Sequence, residues 1–162
     1  MLTTVEPIVR ERLAEENNNL VKVTLSYPLY KCQALMGEPR KYGKAVFDSF
    51  AKDWGYMFYN GVTSLWEAIK GAGDFDHAGS LSHSLSATPI YFFYAHILGV
   101  KPLKPGLNTF KVDPAYWVLS TAEGKVSTLF GDINVSWQVC DNDIKLQVTH
   151  SEEISLKEIK NF

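Results

Sequence analysis

Clustered positive charge is the first thing this sequence lacks. Sixteen Lys and Arg stand against 18 Asp and Glu, interspersed along 162 residues, for a net charge of −2. With no basic stripe to neutralise a phosphate backbone, nucleic-acid binding is not expected. Cysteine is scarce as well. Cys32 and Cys140 fall in different predicted elements without metal-type spacing, so the expectation is two buried free thiols rather than a disulfide. No apolar run reaches the ~20 residues of a membrane span. The densest, Ile90 to Val100, is flanked or interrupted by Thr88, Pro89 and His96 and reads as a buried helix, so no membrane partner is expected. No glycine-rich phosphate loop follows a strand and no Gly-x-Ser-x-Gly elbow occurs, which leaves nucleotide-dependent and serine-hydrolase chemistry without support and implies no cofactor. Repeats and low-complexity tracts are absent. Met1-Leu2-Thr3-Thr4 is followed by Glu6, Arg10 and Glu11 rather than an apolar core, so no signal peptide is predicted; a complete chain with this start would be cytoplasmic.

What is present divides in two. Val5, Ile8, Val9 and Leu13 recur at helical spacing until the Asn17-Asn18-Asn19 run. Ser26 and Pro28 predict the start of a second helix, ending near Gly37 and Pro39, with Tyr27, Tyr30 and Ala34 on its inner face. A third helix is predicted from Pro39 to Trp54. There Tyr42, Val46, Phe47, Phe50 and Trp54 form a core-facing stripe, while Lys41, Lys44, Asp48 and Lys52 face water. Residues 55–61 read as a loop, a short helix is predicted near Ser64, and a long helix from about Ser80 to Leu98 ends at Gly99. After Pro105-Gly106 the period falls to two. Ile133, Val135, Trp137 and Val139 alternate with polar residues, as do Ile144, Leu146 and Val148, and Asp141-Asn142-Asp143 between them is turn chemistry. Short strands are also predicted at 110–112, 116–119 and 154–156. The fold class is therefore α+β, a helical segment over residues 1–104 followed by a small antiparallel β-domain over 105–162.

Several residues could carry chemistry. Ser64-Leu65-Trp66-Glu67 has the capping-box spacing, in which the glutamate reaches back to the N-cap amide. A glutamate acting as a base must instead keep its carboxylate free toward a reactant. His83 could bond a hydroxyl through either ring nitrogen, or be a half-buried histidine satisfied by Ser82 and Ser84. Trp54, Tyr56, Tyr59 and Trp66 are candidates for an aromatic floor under a ligand; Trp54 completes its helix's apolar stripe and reads rather as packing, and Trp66, beside Glu67, is the better candidate. Asp74, Asp76 and His77 lie in a glycine-rich loop without the ordered pattern of a calcium loop, so no metal is expected and a solvated loop is the reading.

Three motifs carry a resemblance over about residues 26–148. They are Thr63-Ser64-Leu65-Trp66-Glu67, Gly79-Ser80-Leu81-Ser82-His83, and Ile97-Leu98-Gly99-Val100-Lys101-Pro102 continuing to Lys104-Pro105-Gly106. In residue type, order and spacing the chain resembles the C-terminal part of bacterial α-L-rhamnosidases, inverting glycoside hydrolases. The family usually has an aromatic residue or glycine after the histidine, where this chain has Ser84-Leu85.

The resemblance implies the last helical hairpins of an (α/α)6-type toroid followed by a C-terminal β-sandwich. It also implies Glu67 as general base, with His83, Trp66, Tyr59 and Trp54 as substrate-binding residues and a rhamnoside or related carbohydrate as partner. Inversion requires a second carboxyl group as acid, roughly 6.5–9.5 Å from the base, and the family's upstream acid motif has no counterpart here. The chain alone is thus expected to be catalytically incomplete. It would associate with the remaining barrel portion or with itself, the alternative being a non-catalytic carbohydrate-binding or protein-interaction module.

Overall fold

The structure is a computed structural model that describes residues 5–15, 24–141 and 143–160. The Asn17–Asn19 run and Asn142 lie outside the described residues. The chain divides into two compact units, Met1–Pro89 and Ile90–Phe162.

Unit 1 is built on three helices: α1 (Val5–Ala14), α2 (Pro28–Leu35) and α3 (Pro39–Tyr59). In α3 the predicted stripe is the buried face, with Tyr42, Val46, Phe47, Phe50 and Trp54 each at most 7% exposed. Lys41, Lys44, Asp48 and Lys52 face water. The helix does not stop at Trp54 as expected. Gly55 costs a helix interior about 1 kcal/mol, but one further turn buries Met57 completely, at 0% exposure. The end comes at Asn60-Gly61. The Gly61 N–H donates to the Phe58 carbonyl and the Val62 N–H to the Met57 carbonyl, with Gly61 at φ +69. This is a Schellman closure, and it needs the left-handed backbone that glycine adopts without strain.

The inner face of α2 differs from the expected one. Cys32 and Leu35 are buried, whereas Tyr27 and Tyr30 are 58% and 67% exposed and lean on each other with centroids 6.0 Å apart. Ser26 does not cap this helix, because its hydroxyl bonds that of Thr24 at 2.8 Å and Tyr27 occupies the N-cap position. Arg10 ties α1 to the others: its guanidinium donates to the Ala34 carbonyl at 2.7 Å and to Glu38 at 2.9 Å. Burial pushes the Cys32 thiol up to about 11, with the Lys31 charge opposing, so it is an inert packing group as expected. Cys140 is also free but only half-buried.

The helix expected from Ser80 begins later and is mixed in type: a 3-10 turn (Ser84–Ala87), then α4 (Thr88–Phe92), then a π-helical turn (Phe93–Ile97). The Leu98 N–H donates to the Phe93 carbonyl at 2.9 Å, and Gly99, at φ +74, ends the run as predicted.

Among its described residues, unit 2 holds six strands in two three-stranded sheets. In the first, β1 (Val100–Pro102) is antiparallel to β2 (Thr109–Val112), and β6 (Ser155–Ile159) adds to β2 in parallel with a bulge. The second is an antiparallel meander of β3 (Thr121–Thr128), β4 (Gly131–Cys140) and β5 (Asp143–His150). The predicted hairpin is therefore β4–β5, and the wholly antiparallel expectation gives way at β6. Ile133, Val135 and Trp137 of β4 are at most 2% exposed, and Phe110 and Val112 of β2 are fully buried. Trp137 donates its indole N–H to the Ile97 carbonyl at 2.8 Å and meets Tyr116 edge-on at 4.9 Å.

Two local expectations fail here for visible reasons. Residues 116–118 form a turn, with the Val118 N–H on the Ala115 carbonyl, instead of a strand. The unpredicted strand β3 carries Ala122 and Gly124 on its inward positions. Gly124 has no room for a side chain, since a Cβ there would come within 2.6 Å of a Leu98 methyl.

Candidate active site

The segment 62–83 links α3 to the 3-10 turn, and it brings two of the three motifs together. The Glu67 N–H donates to the Ser80 carbonyl at 2.9 Å, and the His83 N–H donates to the Leu65 carbonyl at 2.8 Å. The Ser64 hydroxyl donates to the Leu81 carbonyl. Two irregular stretches, 64–67 and 80–83, are thus hydrogen-bonded to each other. Satisfying backbone groups across this pair removes them from any helix, so neither the short helix near Ser64 nor the first turn near Ser80 forms. The capping-box reading of Ser64 and Glu67 falls with it, since no helix starts there for them to cap.

The Glu67 side chain is half-buried, and its Oε2 accepts the Ser80 N–H at 3.4 Å. Among the described residues no other group bonds this carboxylate. Trp66 is half-buried and packs on bare backbone: a Cβ on Gly71 would come within 3.1 Å of its ring carbons and 3.0 Å of a Leu81 methyl. His83 precedes the 3-10 turn, and its Nδ1 is buried without a hydrogen-bond partner among the described residues. A buried N–H left without an acceptor is rarer in folded proteins than an unfilled lone pair. A tautomer with the proton on Nε2 would leave Nδ1 as an unfilled lone pair and make Nε2 a donor.

The other predicted residues are placed differently. Trp54 is 7% exposed, donates its indole N–H to the Ser86 carbonyl at 2.8 Å and meets Phe50 edge-on at 5.5 Å. Tyr59, at the end of α3, is 95% exposed. The glycine-rich loop is ordered by its own bonds. The Asp74 carboxylate accepts the Lys70 N–H at 2.8 Å, and the Asp74 carbonyl accepts the N–H groups of Ala78 and Gly79. Phe75, Asp76 and His77 follow in left-handed conformation, at φ 54, 55 and 71, and all three are exposed. Among the described residues no cluster of His, Cys, Asp or Glu could hold a metal ion.

Sequence reasoning missed the roles of Gly71, Gly79 and the Ser80 amide around Glu67. The signal for them was the glycine spacing in 71–79, which was legible only as flexibility. Unit 2 has an apolar groove lined by Pro102, Leu103, Pro105, Leu107 and Leu129, and it includes none of the predicted site residues.

Comparison with known proteins returns α-L-rhamnosidases. The profile of the bacterial alpha-L-rhamnosidase C-terminal domain matches residues 99–152. An alpha-L-rhamnosidase of Alteromonas sp. (strain LOR) is 33% identical over 116 residues, covering 68% of this chain and 13% of that protein. The crystal structure of a glycoside hydrolase family 78 rhamnosidase from Bacillus sp. GL1 superposes with a TM-score of 0.79 at 26% identity, over 94% of this chain and 17% of that one. The α-L-rhamnosidase of Dictyoglumus thermophilum shares the fold, with a TM-score of 0.72 at 19% identity, over 94% of this chain and 17% of its own. The chain thus spans well under a quarter of the length of each of these relatives. By these likenesses the chain corresponds to the C-terminal portion of bacterial α-L-rhamnosidases.

Proposed function

We propose that this chain is the base-bearing portion of an inverting α-L-rhamnosidase, and that it completes an active site only together with the remaining catalytic portion of the enzyme. In this reading the helices within residues 1–104 are the last helical hairpins of an (α/α)6-type toroid, and residues 105–162 together with β1 are the C-terminal β-sandwich domain. Glu67 deprotonates the attacking water. His83 donates from Nε2 to a sugar hydroxyl, Trp66 offers its ring to an apolar sugar face, and Tyr59 contributes as an exposed ring at the edge. Trp54, buried with its N–H engaged, supports the site through packing.

The observation that carries the reading is the apposition of the two motifs. The hydrogen bonds between 65–67 and 80–83 set Glu67 and His83 on neighbouring segments, and the Glu67 carboxylate keeps one oxygen without a partner among the described residues. A base needs such a free oxygen, whereas a structural glutamate would use it. Among the described residues we assign no acid. Asp74 is bonded to the Lys70 amide, and Asp76 is held on an exposed strained turn. Without a general acid the rate falls by ~10²–10⁴, so the isolated chain should turn over little or no substrate.

The test is hydrolysis of a chromogenic α-L-rhamnoside by the purified chain, wild type beside Glu67→Gln, alone and after addition of the remaining catalytic portion of a family member, with rhamnose binding followed on the same samples. Turnover that appears only in the reconstituted sample and disappears with Glu67→Gln supports the proposal. Reconstituted turnover that survives Glu67→Gln refutes the base assignment. Rhamnose binding without reconstituted turnover would favour the carbohydrate-binding module, for which the exposed rings of Tyr27, Tyr30 and Tyr59 are the argument.

A further inference from the structure

Gly71 and Gly79 lie back to back. A Cβ on Gly79 would overlap the Gly71 carbonyl, and because that group is backbone it cannot swing aside. Gly71 in turn has φ +56, with Trp66 and Leu81 against the place its own Cβ would take. The contact pinches the loop 68–79 shut immediately outside the Glu67–Ser80 pair. Inside the loop, the Gly71 carbonyl accepts the Asp74 N–H at 3.2 Å, and the Asp74 carbonyl accepts the Gly79 N–H at 3.0 Å.

The loop also holds Phe75, Asp76 and His77 in a left-handed turn. Each non-glycine residue there costs about 1–2 kcal/mol, and strain of this kind persists only where the surroundings over-determine it. The closure at Gly71 and Gly79 provides that constraint. Its product is the position of residue 80, whose N–H meets Glu67 Oε2 at 3.4 Å. That distance lies beyond the usual ~2.7–3.2 Å of an N–H···O bond, so the contact is weak and a displacement of a few tenths of an ångström at residue 80 breaks it.

We propose that the Gly71–Gly79 contact is a positioning device for the Glu67 carboxylate. It holds the Ser80 amide on Oε2, fixes the rotation of the carboxyl group and leaves Oε1 as the oxygen that meets a reactant. Gly79 and Ser80 are therefore positioning residues that act through Glu67. The significance of the device rests on Glu67 being the base, but its geometry can be read without turnover.

The experiment follows the Ser80 amide proton by NMR in the full ¹⁵N-labelled chain as pH is lowered through the carboxylate range. In wild type the resonance should move with the ionisation of one carboxylate. The movement should vanish in Glu67→Gln and in Gly79→Ala, and persist in Gly73→Ala, whose Cβ would meet only the Lys70 side chain at 3.9 Å. A Ser80 amide that responds alike in wild type and Glu67→Gln overturns the proposal, and that comparison needs no glycine variant. So does a Gly79→Ala chain that keeps the wild-type response. If Gly79→Ala loses the dispersed amides of α3 as well, the glycine holds the whole unit rather than the carboxylate, and the positioning role is overturned. Hydrolysis is not read here, so failure of the base assignment and failure of this geometry are separately visible.

Discussion

Replacing Trp137 by Phe should be among the most costly conservative changes in unit 2. The indole is 2% exposed, and its N–H is bonded to the Ile97 carbonyl within the π-helical turn. Phenylalanine keeps a ring facing Tyr116 but has no donor, so the Ile97 carbonyl loses that partner. A buried polar group left without its partner costs about 1–3 kcal/mol. The lost ring atoms, at ~0.8 kcal/mol per buried methylene-sized group, add about 1–2 kcal/mol. The total of about 2–5 kcal/mol is a large share of the ~5–15 kcal/mol that holds a typical domain together. At ~4–8 °C per kcal/mol for a domain of 60–100 residues, the melting temperature of unit 2 should fall by at least about 8 °C. Thermal unfolding followed by near-ultraviolet circular dichroism measures this, with hydrogen exchange at the β4 amides to assign the loss to unit 2. A drop below about 0.5 kcal/mol, the usual size of a neutral surface change, would refute the claim that this tryptophan anchors the π-helical turn to the sheet.

Three further outcomes are expected. Gly99→Ala places a Cβ at φ +74 against the backbone of Asp113 and Pro114, combining left-handed strain with overlap; a loss of about 2–5 kcal/mol in urea unfolding is expected, and less than about 1 would contradict it. His96 is held down to about 4 from the ordinary 6.5, chiefly by burial and then by the Lys101 charge, with Asp113 opposing. In that interval the unfolded chain binds the proton and the folded chain does not, so stability is full above about 6.5 and falls progressively as pH drops to about 4; unfolding midpoints across this window should show the slope in wild type and a shallower one in His96→Phe. Trp54→Phe removes the donor to the Ser86 carbonyl and should destabilise unit 1 by about 1–3 kcal/mol without altering rhamnose binding, whereas a selective loss of binding at unchanged stability would return Trp54 to the sugar site.

The parts of the fold that were legible in the sequence are those where one face decides everything. The α3 stripe and the β4–β5 alternation bury one side each, and a period of 3.6 or 2 is the direct imprint of that burial. Gly55 misled because propensity is local, while the reason to continue the helix is the burial of Met57. Ser64 and Glu67 misled for the same kind of reason. Their spacing fits a capping box, but their backbone partners are residues 80–83, and no window around Ser64 contains them. Strand β3 was invisible because Ala122 and Gly124, the latter crowded by Leu98, give no apolar alternation. Within the candidate site, Glu67, Trp66 and His83 could be named from their motifs. The bonds that set the motifs side by side, the orphan Nδ1 of His83 and the glycine contact behind Glu67 depend on chain segments meeting in space.

The sheet order β1-β2-β6 bears on how this domain can be handled as a unit. The chain lays down β2, leaves to make the whole β3–β5 meander, and returns to finish the first sheet with β6, where Leu156 pairs with Phe110 and Ile159 with Val112. The meander is, in effect, an excursion between two neighbouring strands. The stretch recognised by family likeness, residues 99–152, stops just short of that return. A protein trimmed to those limits would retain every residue of the likeness yet leave β2 with an open edge, and with it a row of unmatched amides ready to recruit a strand from another molecule. The sensible cut for isolating this domain therefore lies beyond Ile159.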